Sequence, residues 1–396
     1  GAITLRNSNV LSNTGRITLT GNKSVDTSNG HAGVALVTSN VATNGDVNLN
    51  SPTSILLLQN NSGVGTARNG ATTSASVSMV AKRISASGSV VAGTGNLVIE
   101  PSGQSFEAGS GLAVFDWAST VSDFVNVRIG KAGTITTQSL NQLTISAAIR
   151  VPGTITIHAS QLNANAPIAA TASGADVDLR LTTGFNGTSS LQSNGGAVKI
   201  RANSLTLGSS ATVAAGTGAV EIGSATSGTA IRILTAAAKN TAASNTLNIS
   251  TTDLSRVTGA FLRIGAPNAG AISVEDTLVR DQVGSNTLKL VTAGSVTNEV
   301  SGVTSPLSVS NLAVQAGGSI RLSSSFAGST ASKLALNSSN LSAGNVQFSQ
   351  LAANYTPEVV DGVTPVFGIA VSARASQVPG VEATTVYQNS TVNPNP

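Results

Sequence analysis

The chain has 396 residues and a net charge of +4, with 40% hydrophobic residues but only 10% charged and 3% aromatic ones, both low for a globular enzyme. It contains no Cys, which excludes disulfides, thiolate metal sites and a Cys nucleophile. Its 21 Lys and Arg are scattered without interleaved aromatics, which argues against nucleic-acid binding, and its longest apolar run, Ile55–Leu58, is far short of the roughly 20 residues that span a membrane.

Taken in order, the chain repeats one pattern, Gly-x-apolar-x-apolar. It reads GAITL from Gly1, GRITL from Gly15, GDVNL from Gly45 and GNLVI from Gly95. Alternation with period two puts one set of side chains on a buried face and the other on a solvated face, so each copy predicts a short half-buried strand. Residues 102–127 depart from the pattern. Phe106, Phe115, Trp117 and Phe124 gather there, and the stretch is read as an excursion packed on the flank, with a helical turn over 118–124. Arg-Ile-Gly at 128–130 then precedes an Ala-Gly opener and the strand NQLTI from Asn141, and the pattern returns as GTITI from Gly153.

The clearest repeat unit is Gly196–Ile222. Val198 and Ile200 alternate with Lys199 and Arg201, and Leu205 and Leu207 follow an Ala-Asn-Ser turn. Ala211 and Val213 follow Gly-Ser-Ser, and Val220 and Ile222 restate Val198 and Ile200 about 22 residues later. Three strands turned by Gly, Ser and Asn and closing on a fixed period describe one rung of a β-solenoid. Those seven apolar residues, Ala211 aside, are expected to be buried, and Lys199 and Glu221 are expected at matching outward positions on consecutive rungs. Openers at Gly218, Gly270, Gly318 and Gly344 follow. A second Arg-Ile-Gly at 263–265, again ahead of an Ala-Gly opener and an Asn-x-Leu strand, predicts a tandem super-repeat. Leu351–Pro396 carries five of the eleven Pro, which cannot donate to a ladder, and is read as a C-terminal cap, linker or docking arm.

The expected fold is therefore all-β: a right-handed parallel β-helix (β-solenoid) over residues 1–350, with three short strands per rung of about 20–26 residues. Right-handedness follows from the crossover preference of parallel strands. About 16 rungs at ~4.8 Å each predict a rod on the order of 75 Å long.

Gly-x-apolar-x-apolar rungs, NxLxL-type strands, abundant Ser, Thr and Asn, and no Cys make residues 1–350 resemble the filamentous haemagglutinin family, the large exoproteins of two-partner secretion. The Arg-Ile-Gly…Ala-Gly-x-Ile arrangement resembles repeats in their long central shafts. NPNG- or NPxL-like elements of the family's secretion domain are not seen, so the resemblance is to shaft. It implies a right-handed parallel β-helix, export through an outer-membrane transporter, a secreted or cell-surface location, and a role in adhesion or matrix formation.

Few residues invite chemistry. His31 lies in a Gly/Asn-rich turn and His158 is expected outward and exposed on the GTITI strand, with no carboxylate pattern joining them. Asp176, Asp178 and Arg180 share an outward strand face. Such a face could support calcium-assisted polysaccharide cleavage, but no second acidic rung stands in register and a local charge pair is the preferred reading. Trp117 with Phe115 could stack on a sugar; packing against the flank is preferred. No P-loop, GxSxG or calcium-binding nonapeptide occurs. The expectation is no catalytic residue, no cofactor and no metal. Three functions are carried forward: a non-enzymatic shaft segment acting in adhesion, a protomer that self-associates end to end into an extracellular filament or biofilm fibre, and a polysaccharide-binding or polysaccharide-cleaving β-helix protein. The partners implied are a host or neighbouring-cell surface or its glycans, a second copy, and the transporter during export.

Overall fold

The computed structural model describes residues 2–12, 15–21, 32–59, 62–65, 75–86, 88–103, 114–115, 123–131, 142–242, 245–279, 287–300, 303–304, 307–324, 333–338, 345–350, 356–357, 359–364 and 383–388. The chain is built mostly from parallel β-strands in large parallel sheets, an arrangement compatible with an all-β parallel solenoid. It forms two compact units, residues 1–199 with 207–212, and residues 200–206 with 213–396.

In the first unit, alternation along each strand becomes stacking between strands. Ile17, Val47, Val77, Leu97, Val127, Ile155 and Val177 lie opposite one another in successive parallel pairings. Leu19, Leu49, Met79, Ile99, Ile129, Ile157 and Leu179 form the neighbouring column. From Val47 and Leu49 onward both columns are almost fully buried. Each inward side chain is covered by the one above and below, and burying a Val, Leu or Ile stabilises by about 1.5–3 kcal/mol. Two further ladders accompany this one: Leu5, Leu36, Leu58 and Ala86 in one, and Val10, Val41, Val64 and Val91 in the other.

Several strands expected to be short are continuous through a corner. Val47–Gln59 and Ile155–Ala164 each serve two ladders, with register shifts at Ser51/Ile55 and Ala159/Gln161. Outward positions carry stacked amides: Asn126 Nδ2 donates to Asn96 Oδ1 at 2.9 Å and Asn186 Nδ2 to Asn163 Oδ1 at 3.1 Å. Such pairs satisfy polar groups without long charged side chains.

The second unit repeats the scheme. Val220, Leu262, Leu288 and Leu312 form one inward column, and Ile222, Ile264, Leu290, Val314 and Leu336 the next. Ile231, Ile272, Val296 and Ile320 form a column in a separate sheet. Between Gly223 and Phe261 two short helices, Ala236–Thr241 and Thr251–Leu254, follow the alternating strands Ile231–Leu234 and Leu247–Ser250. Thr235 caps the first, its hydroxyl accepting from Ala238 N–H at 3.1 Å. Ser250 and Asp253 cap the second reciprocally, satisfying orphan amides that a free helix end leaves open.

Of the excursion expected at 102–127, Val114–Phe115 forms a strand parallel to Thr144 and Ile145, and Phe124 is fully buried. Phe106, Trp117 and residues 118–122 lie outside the described residues, as does His31. Of Leu351–Pro396, Thr356–Pro357 pairs in parallel with Lys333 and Leu334, and Ala383–Gln388 pairs antiparallel with Asn345–Gln350.

Candidate functional site

Among the described residues, two of the groups of side chains that bring ionisable residues together bear on a site, one in each unit. In the first unit, Arg128 lies opposite Thr156, which lies opposite Asp178, while His158 lies opposite Arg180. Arg128 pairs with the Glu100 carboxylate. Arg180 pairs with Asp178 at 2.8 Å on its own strand, and Asp176 pairs with Lys199 at 2.9 Å. The acidic pair singled out in the sequence therefore does not converge: Asp178 turns to Arg180, and Asp176 to Lys199 and the Ala197 N–H. Burial pushes the Asp176 carboxyl up, but the hydrogen bonds from Lys199 and Ala197 and the Lys199 charge outweigh it and leave it below the usual carboxylate range.

His158 differs from the expectation of an exposed side chain. It is only 7% exposed. Its strand is closely approached by the neighbouring one at Gly130, where a Cβ would come within 2.0 Å of the His158 carbonyl oxygen. Burial lowers its pKa first and the Arg180 charge second; Asp178 opposes, Arg128 lowers further, and Glu100 opposes. The imidazole is thus held toward its neutral form.

The second group lies in the second unit. The outward column there runs Glu221, Arg263, Lys289, Ala313, Ala335. Across it lies the turn Val360–Val363. Asp361 and Gly362 both have positive φ (45° and 73°), and Val360 and Val363 exchange backbone hydrogen bonds of 3.1 and 2.9 Å. This is the arrangement of a type I′ turn, for which Asp-Gly is a favoured pair. Arg263 donates through Nε and Nη2 to both Asp361 carboxylate oxygens, each at 2.6 Å, and through Nη1 to Glu221 at 2.8 Å. Lys289 Nζ donates to the Asp361 carbonyl at 2.8 Å, and Asn337 Nδ2 to the Thr364 carbonyl at 3.1 Å. Val360 and Val363 cluster with Ala313 and Ala335, so two outward Ala residues are fully buried.

The chemistry is that of a carboxylate clamp beside a small apolar shelf. The fork of Arg263 fits the planar carboxylate bidentately. The Asp361 hydrogen bonds raise the Arg263 pKa, with Glu221 adding to them against the opposing effect of burial. Phe261 lies under the guanidinium, 5.6 Å from its carbon to the ring centroid. Ala at 313 and 335 leaves room for the turn.

Sequence reasoning passed over this group, although two signals mark it. Asp361-Gly362 between two Val residues is a hairpin-turn dipeptide, and Ala313 and Ala335 alternate in sequence with the larger aliphatics Leu312 and Val314, and Leu334 and Leu336. Among the described residues no group of three or more His, Asp or Glu gathers as for a metal ion. Comparison with protein-family models, with curated proteins and with solved structures returns no match for this chain.

Proposed function

We propose that the chain is a structural, non-enzymatic β-solenoid segment of a secreted bacterial cell-surface exoprotein, exported through an outer-membrane transporter and acting in adhesion. In this reading it is a right-handed parallel β-helix with three short strands per rung of about 20–26 residues. The observation that carries the reading is the stacking of inward aliphatics from Val47 to Val177 and from Val220 to Leu312, level upon level. A stack of this kind is stabilised by nearest-neighbour contacts and presents an extended outer surface, the requirement of a shaft. The outward charges support the same reading. Arg128, Arg180, Lys199, Arg232 and Arg263 are each engaged by a carboxylate, which suits a surface built for cohesion. The resemblance of the repeated openers to haemagglutinin shafts supplies the location and the role in adhesion.

The test is direct. Beads coated with the chain are expected to bind epithelial or bacterial cells saturably, and binding is expected to be competed by soluble chain. Retention no greater than that of beads coated with an unrelated protein would sink the adhesion reading.

A further inference from the structure

We propose that the column of Arg263, Lys289, Ala313 and Ala335, with Asn337 beside it, is a recognition seat for a Val-Asp-Gly-Val turn, and that its occupant is exchangeable between copies: the turn of one chain can fill the seat of another. This does not depend on the adhesion reading.

The argument rests on two preformed halves. The seat is set by ladder pairings that do not involve the turn: Arg263 opposite Lys289, Lys289 opposite Ala313, Ala313 opposite Ala335. The turn is closed by its own Val360–Val363 hydrogen bonds. When receptor and ligand are both organised beforehand, little conformational entropy is lost on docking, and the same contacts form whichever chain supplies the turn. Those contacts are specific. The Asp361 side chain is 7% exposed and held bidentately, and Val360 and Val363 are 5% and 3% exposed against the Ala shelf. The seated residues also lie far apart in sequence, 98 positions between Arg263 and Asp361. Exchange of an identical element between protomers is a low-cost route to association, because every contact already exists in the single chain. At low concentration the tethered turn occupies its own seat; when that is blocked, a second copy supplies the occupant.

Charge reversal separates the two cases. In Arg263→Glu the chain's own Asp361 is repelled, and in Asp361→Arg its own Arg263 is repelled. Mixed, the two variants offer complementary pairs only across chains. Native mass spectrometry of the full chains is expected to show a one-to-one heterodimer at least about ten-fold over either homodimer. The double variant Arg263→Glu/Asp361→Arg is expected to remain monomeric. A mixture of folded, monomeric variants would overturn the proposal. Should either variant fail to fold, the absence of natural Cys permits a second test. Chains carrying Ala335→Cys alone, mixed with chains carrying Val363→Cys alone, are expected on oxidation to give the 335–363 heterodimer in excess over either homodimer, in an amount that rises with concentration. No heterodimer, or one no more abundant than the homodimers, would overturn it equally.

Discussion

Gly265 passes so close to Val291 that a Cβ at Gly265 would stand 2.0 Å from the Val291 carbonyl oxygen. Its φ is +97°, and Gly130, the last residue of the other Arg-Ile-Gly triplet, has φ +84° and the same relation to the His158 carbonyl. The triplets agree residue by residue. Arg128 and Arg263 point outward and pair with Glu100 and Glu221, Ile129 and Ile264 are buried, and the Gly turns under the next strand.

Alanine at these glycines should therefore meet two penalties, a left-handed backbone costing about 1–2 kcal/mol and a backbone collision. Gly174, with φ +78° and nothing within 4 Å of its would-be Cβ, isolates the first. Gly130→Ala is expected to lower the urea midpoint clearly more than Gly174→Ala. Equal losses would show that the close approach carries no energetic weight.

Lys239 Nζ lies 2.6 Å from Asp253 Oδ2, and it also donates to the Leu205 carbonyl. The Asp253 side chain is 5% exposed and accepts as well from Ser250. Lys239→Met leaves that carboxylate buried without its cation, a change that typically costs about 3–5 kcal/mol, limited here by local opening of the two short helices. Adding Asp253→Asn removes the charge while keeping an acceptor for the cap. The double variant is expected to recover much of the loss in denaturation, and a double variant less stable than Lys239→Met alone would contradict this account.

The inward faces were legible because strand alternation is local. Val198, Ile200, Leu205, Leu207, Val213, Val220 and Ile222 are all buried, as their spacing implies. What was not legible depends on which strand lies beside which. The turn at Val360–Val363 meets Arg263 only after levels of unequal length have accumulated, and no local pattern reports that sum. His158 reads as a solvent-facing position on its own strand; Gly130 and Arg180 on the adjacent strands enclose it. The helices at Ala236–Thr241 and Thr251–Leu254 are too short for a helical period to register, so only their Thr and Ser caps announce them.

Ile157 and Thr156 test the alternation at single-residue resolution. Ile157 is fully buried between Ile129 and Leu179, and Thr156 faces outward between Arg128 and Asp178. Ile157→Ala should cost about 2–5 kcal/mol through lost burial and a cavity. Thr156→Ala should change stability by about 0.5 kcal/mol or less. Thermal melts of the two variants decide it; a reversed order would mean that the register is off by one residue.

His158 should make stability depend on pH in a narrow window. Its pKa in the folded chain is lowered from 6.5 by burial and then by Arg180, with Arg128 in the same direction and Asp178 and Glu100 opposing. A depressed His binds its proton more readily in the unfolded chain. Its contribution is full above the unfolded value and declines as pH falls through 6.5 toward the lower folded pKa. The steepest possible slope is about 1.4 kcal/mol per pH unit. Asp176 and Glu275 are also lowered, Glu275 chiefly by its hydrogen bond from Arg232, but their contributions are lost only below their ordinary 3.8 and 4.5. The windows are therefore separable. Urea midpoints measured from pH 7.5 to 5 are expected to fall in the natural chain and to stay nearly flat in His158→Gln. Parallel curves for the two proteins would show that the imidazole titrates freely, against the enclosed position the structure gives it.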